Sequence, residues 1–148
     1  MYHFSLETVL RHRKHIEETL QKEFVRTKKD LFMANESVAS LEEIRERKLR
    51  ELQEKQGSGA TVSGIMLYDN YIRQLSIDIE RQIKSVIELE DRLRQKRSEL
   101  IEAMKRRKTL DRLKEKEWQA YRKEMERREQ IAMSEIAVSG FNMRKQVQ

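Results

Sequence analysis

Gly57-Ser58-Gly59-Ala60-Thr61-Val62-Ser63-Gly64 is the stretch on which the fold turns, because it holds three of the chain's four glycines and the chain has no proline. Glycine leaves helical geometry most readily, so a chain that reads as helix on both sides can break only here. Each side carries an apolar seam. Stepping alternately by four and three from Leu6 visits Leu10, Arg13, Glu17, Leu20, Phe24, Thr27, Leu31, Ala34, Val38, Leu41, Arg45, Lys48 and Leu52, and nine of these 14 positions are apolar. From Ile65 the same rhythm visits Tyr68, Ile72, Leu75, Ile79, Gln82, Val86, Leu89, Leu93, Lys96, Leu100, Ala103, Arg107 and Leu110. A 3.5-residue apolar repeat is the mark of a coiled coil. The expected fold is all-α, two long helices in an antiparallel coiled coil: helix 4–56, hinge 57–64, helix 65–138 and a flexible tail 139–148. Polar seam residues such as Gln82 and Lys96 read as register-setting positions. Trp118, Tyr121 and Met125 read as off the original phase, which implies a stutter near residues 111–117.

The arms are unequal. A hinge centred near Ala60 puts residue 6 opposite residue 114, so the second helix is expected to lack an opposing arm from Lys114 onward. At about 1.5 Å per residue, 114–138 would project roughly 35 Å as a C-terminal helical overhang. Trp118, Tyr121, Met125, Ile131 and Ile136 would then be apolar residues in search of a partner.

Composition agrees with a rod or stalk. Of 148 residues, 37% are hydrophobic and 39% charged, too little apolar material for an ordinary globular core. Cysteine is absent, which excludes disulfides and cysteine-based zinc sites and fits a reducing compartment. The opening residues, Met1-Tyr2-His3-Phe4-Ser5-Leu6-Glu7, show no secretion signal, and no long uncharged apolar run follows, so a cytoplasmic protein without membrane insertion is expected. The net charge of +6 sits almost wholly in residues 94–128, which hold 14 basic and seven acidic residues. Such a segment can meet an acidic protein surface or nucleic acid. The alternation of both signs and the absence of any nucleic-acid module favour the former.

Catalytic chemistry is missing. Gly59 to Met66 has the glycine spacing of a phosphate loop but lacks its lysine and hydroxyl residue, and it follows a helix where a strand is required. His12, His15 and Glu18 share a helix face without a second shell to make them a metal site. No nucleophile-base pair remains, so neither an enzyme nor a cofactor is expected.

Several segments in order carry a resemblance: Phe4-Ser5-Leu6-Glu7-Thr8-Val9-Leu10-Arg11-His12-Arg13-Lys14, then Tyr71-Ile72-Arg73-Gln74-Leu75, then Arg107 to Lys116 and Tyr121 to Gln130. Their order and spacing resemble the FliJ family of the bacterial flagellar type III export apparatus over nearly the whole chain. The resemblance implies an antiparallel two-helix coil like the central stalk of rotary ATPases, with its ends in the hexameric export ATPase ring. It also implies contact with the cytoplasmic domain of the export-gate membrane protein, handling of export chaperones, and a cytoplasmic location peripheral to the inner membrane. The family's gate-contacting positions fall on Tyr71, Leu75, Asp78 and Gln82, of which Asp78 and Gln82 depart from the small and histidine residues the family carries there. The heptad step puts Leu75 and Gln82 on the seam, whereas gate contact requires exposure. Ring contact is expected at Trp118, Tyr121 and Met125, flanked by Arg122, Lys123, Arg127 and Arg128. The equivalent stalk of a virulence-type secretion system or rotary ATPase is the alternative, with a basic nucleic-acid-binding coil behind it.

Overall fold

A computed structural model describes residues 1–147 as two helices, α1 (Glu7–Gly57, 51 residues) and α2 (Val62–Val147, 86 residues), with no strand among the described residues. The break between them is shorter than the glycine cluster. Gly59 takes the left-handed backbone conformation (φ 82°), and the Ala60 N–H donates to the Lys55 carbonyl at 3.0 Å, a bond that closes a helix C-terminus one residue past a left-handed glycine. Thr61 then caps α2, its hydroxyl accepting from the Gly64 N–H at 3.2 Å. Gly57 is therefore the last residue of α1, and Val62-Ser63-Gly64 form the first turn of α2 where the glycines suggested hinge.

The chain divides into two compact units: a turn unit, Glu18–Ile101, and a terminal unit made of Met1–Glu17 with Glu102–Gln148. In the turn unit the Lys96 ammonium pairs with Glu23 at 2.9 Å, the Tyr68 hydroxyl donates to Glu51 at 3.2 Å, and the Lys48 ammonium lies 6.0 Å from the Tyr71 ring centre. The residue numbers in each pair add to 119, so the two segments run antiparallel in one register. Leu75, Ile79, Val86 and Thr27 are buried between them, and the Thr27 hydroxyl donates back to the Glu23 carbonyl at 2.9 Å, so no polar atom is stranded.

The terminal unit packs differently. Phe4, Leu10 and Ala103 are its buried apolar residues, while Arg107 lies between Glu17 and Asp111, and Lys114 pairs with Glu7 at 2.8 Å. Every seam position read from the sequence in α1 and α2 is buried or half-buried. The rhythm also continues unbroken through Lys114, Glu117, Tyr121 and Glu124, all half-buried, so the expected stutter near 111–117 is absent. Charged residues keep the phase there because they find partners across the seam or within α2.

The expected start of the overhang also moves. Counting from Leu6 leaves out Met1 to Ser5, and this short lead before α1 continues along α2: the Tyr2 hydroxyl meets the Lys114 carbonyl at 3.5 Å and its ring packs on Trp118 and Tyr121. Exposure becomes uniform only from Met125. The segment expected as a tail from residue 139 continues α2 to Val147, since Gly140 alone, with open space around it, does not stop a helix; Gln148 lies outside the described residues.

Candidate functional site

Two surfaces stand out, one in each unit. In the turn unit Tyr71 is exposed, with Lys48 above its ring, and together with Leu67 and Tyr68 they line a shallow depression of about 320 Å³. Lys55 lies 4.8 Å from the Tyr68 ring centre, and Tyr68 is held in place by its bond to Glu51. The Lys48 ammonium, and then the Tyr68 hydroxyl, keep the Glu51 carboxyl below its ordinary range, so this cluster is charged and ordered. An aromatic ring at such a site offers a partner large contact area at small entropic loss.

Of the four residues matched to gate contact, Tyr71 alone lines this depression. Leu75, only 5% exposed, is core, and Gln82 is half-buried on the seam, so the heptad count described both correctly. Leu75 therefore offers almost no surface to an outside partner while the helices are packed. Asp78 is half-buried on the flank that carries Tyr71 and accepts from the Gln74 amide at 3.1 Å. Sequence reasoning missed Met66 and Leu67, which are among the most exposed large apolar residues of the unit. Their signal was available: both lie one and two places past the seam residue Ile65, and so face away from α1.

In the terminal unit, Tyr2, Trp118 and Tyr121 form a three-ring cluster. Tyr2 lies 5.3 Å from each of the other two, edge-on to Trp118, and Trp118 stacks on Tyr121 at 6.0 Å. Desolvation, followed by the Glu117 carboxylate, pushes the Tyr2 hydroxyl above its usual range. Trp118 thus has an intrachain partner and remains partly exposed on its outer edge. Arg122 pairs with Glu126 at 3.4 Å, and Arg127 and Arg128 both grip Glu124, at 2.8 and 3.3 Å. The Arg127 guanidinium beside Glu124 pulls that carboxyl down to about 2. Among the described residues Lys123 makes no ion pair. Beyond them Ile131, Met133, Ile136, Val138, Phe141 and Met143 are all exposed. Residues 129–148 carry only two basic and two acidic residues, and the sequence already marked Ile131 and Ile136 there as apolar residues in search of a partner.

More than half of the 14 basic residues in 94–128 are paired within the chain. Arg94, Lys96, Lys105, Arg107, Lys114, Arg122, Arg127 and Arg128 all engage carboxylates. Among the described residues no group of three His, Asp or Glu side chains is placed to hold a metal ion, and no helix is long and apolar enough to cross a membrane.

Two long helices with a charged exterior and aromatic and apolar surfaces on their outer faces define a coiled-coil interaction protein. The chain belongs to the FliJ family: the family model for the flagellar FliJ protein matches residues 2–146. That membership makes it a component of a type III export machinery, of the flagellar or secretion kind. A solved structure described as that of a putative YscO homologue, CT670 from Chlamydia trachomatis, shares the fold, with a TM-score of 0.65 and 23% identity over 100% of both chains. No curated protein matches the sequence.

Proposed function

We propose that the chain is a non-enzymatic stalk and adaptor of the flagellar export apparatus, coupling the export ATPase hexamer to the cytoplasmic domain of the export gate and handling export chaperones in the cytoplasm beside the inner membrane. The observation that carries this reading is the family match over residues 2–146. The geometry supports a division of labour. The Tyr71 surface, with Leu67 and Lys48, is the gate contact, and Leu75 supports it from the core. The ATPase contact is the exposed α2 surface that begins at Trp118 and Met125 and continues through Ile131 to Met143, with Lys123 as the unpaired cation beside it.

Titrating purified full-length protein against each partner tests the division. Tyr71→Ala with Leu67→Ala is expected to weaken gate binding by about tenfold or more while helicity survives, since neither residue is buried. A chain ending at Glu129 keeps the three-ring cluster and is expected to stay folded while losing ATPase association. Undiminished ATPase stimulation by that shorter chain would rule the α2 terminus out. A second reading, the equivalent component of a virulence-type secretion system, has the fold shared with the YscO homologue in its favour. Preferential binding to a virulence-type export ATPase would decide for it.

A further inference from the structure

We infer that one side of the turn unit is a self-complementary face on which a second copy of this chain docks. Glu23, Glu51 and Tyr71 immediately precede seam residues Phe24, Leu52 and Ile72, and all three make their contacts across one side of the helix pair. The residues immediately following Thr27, Ala34, Gln82 and Leu89, namely Lys28, Asn35, Ile83 and Glu90, therefore share the opposite side. Val25, Phe32 and Ile87 extend that side outward, and Val25, Phe32, Ile83 and Ile87 are exposed by 58, 62, 40 and 53%. Such residues on the outer flank of a highly charged coil are an apolar surface without a partner.

The register says what fits. Because facing numbers add to 119, Phe32 is level with Ile87, and Lys28 and Lys29 are level with Asp91 and Glu90. A two-fold axis parallel to the helices lays α1 of one copy over α2 of the other without changing height, as an isologous interface requires. Phe32 then meets the second copy's Ile87, and Lys28 meets the second copy's Glu90, each contact occurring twice. Among the described residues neither Lys28 nor Glu90 makes an ion pair within its own chain. From residue 21 to residue 39 the face is roughly 27 Å long and about 20 Å wide, so each copy covers on the order of 500 Å². That area is at the low end for specific association and gives a dimer that forms at high protein concentration. Tyr71 lies on the other side of the turn unit, so the surface proposed for the gate stays free.

Sedimentation equilibrium of the full chain from about 1 µM to about 1 mM tests the face. The mass should rise from 17.9 kDa toward twice that value. Phe32→Asp with Ile87→Asp should raise the dissociation constant at least tenfold with unchanged circular dichroism, because both residues are exposed. Lys28→Glu and Glu90→Lys should each weaken the dimer severalfold, and the two together should restore it. A wild-type mass of one chain throughout overturns the inference. So does a dimer indifferent to these substitutions.

Discussion

The turn unit and the terminal unit pair the same two helices by different means. Between Glu18 and Ile101 the seam is mostly aliphatic, with Leu75, Ile79 and Val86 buried at its centre. In the terminal unit seam positions are taken by Glu17, Arg107, Lys114, Glu117 and Glu124, and three aromatic rings close the packing. Aliphatic burial stabilises without regard to pH or salt, whereas partly exposed ion pairs contribute little each and respond to both. The first unit is thus held by aliphatic burial, whereas the second adds ion pairs, and with them a response to pH and salt, to its buried Phe4, Leu10 and Ala103.

The largest expected effect is in the turn unit. Leu75→Ala deletes a side chain that is 5% exposed, and a truncation of this kind costs about 2–4 kcal/mol where the cavity collapses only partly. Thermal unfolding followed at 222 nm should show the midpoint falling by about 2–4 °C for each kcal/mol lost. Leu113→Ala, at a 39% exposed position of the terminal unit, should shift it far less. Equal shifts would mean that burial at the seam is not what stabilises the turn unit.

Arg107 sharpens the comparison from the other side. Its side chain, 24% exposed, is held between Glu17 and Asp111, and Glu17 is itself only 15% exposed. Arg107→Met leaves two carboxylates facing each other without their cation. A loss of about 1–2 kcal/mol is expected for such a partly buried, uncompensated pair. Adding Glu17→Leu to the variant should recover much of it, since an apolar seam needs no ion there. A double variant no better than Arg107→Met would mean that the guanidinium packs rather than pairs.

Much of this was legible in the sequence, and the reason is periodicity. A 3.5-residue rhythm that starts at Leu6 and Ile65 is a geometric statement, and it located even polar seam residues such as Thr27, Arg107 and Gln82. The turn was found by its glycines but overestimated, because Thr61 can cap a helix whose third residue is Gly64. What failed was the count at its ends. Trp118, Tyr121 and Met125 read as off-phase when the count stops at Leu110; carried on through Lys114 and Glu117 it reaches Tyr121, and cross-helix pairing with Glu7 is what seats Lys114 there. Tyr2 escaped notice because it precedes the helix, and a seam count says nothing about an irregular lead that packs on Trp118. Leu75 shows the opposite lesson: similarity pointed to a contact residue, and the heptad pointed to the core.

The smallest effect expected separates the units by pH. In α2, Glu124 accepts from Arg127 and Arg128, and its carboxyl titrates at about 2, below its ordinary value of 4.5. Glu7 is lowered in the same direction, first by its hydrogen bond to Lys114. A carboxyl whose folded value lies below its unfolded one favours the folded state fully above the unfolded value. That contribution fades as pH falls through the folded value. Both groups belong to the terminal unit, and although Glu51 of the turn unit is lowered in the same direction, the seam beside it is mostly aliphatic, so acidification from pH 5 to pH 2 should loosen Met1–Glu17 from α2 and fray the helix around Glu124 before it reaches the aliphatic seam. Amide exchange resolved by residue reads this directly: protection near Tyr2, Glu7 and Glu124 should drop across that range while protection near Leu75 and Ile79 holds. Glu124→Gln with Glu7→Gln should flatten the acid response of the terminal unit and leave that of the turn unit unchanged. If protection were instead lost together in both units, the ionic seam would not be a separate element, and the acid response would belong to the whole coil.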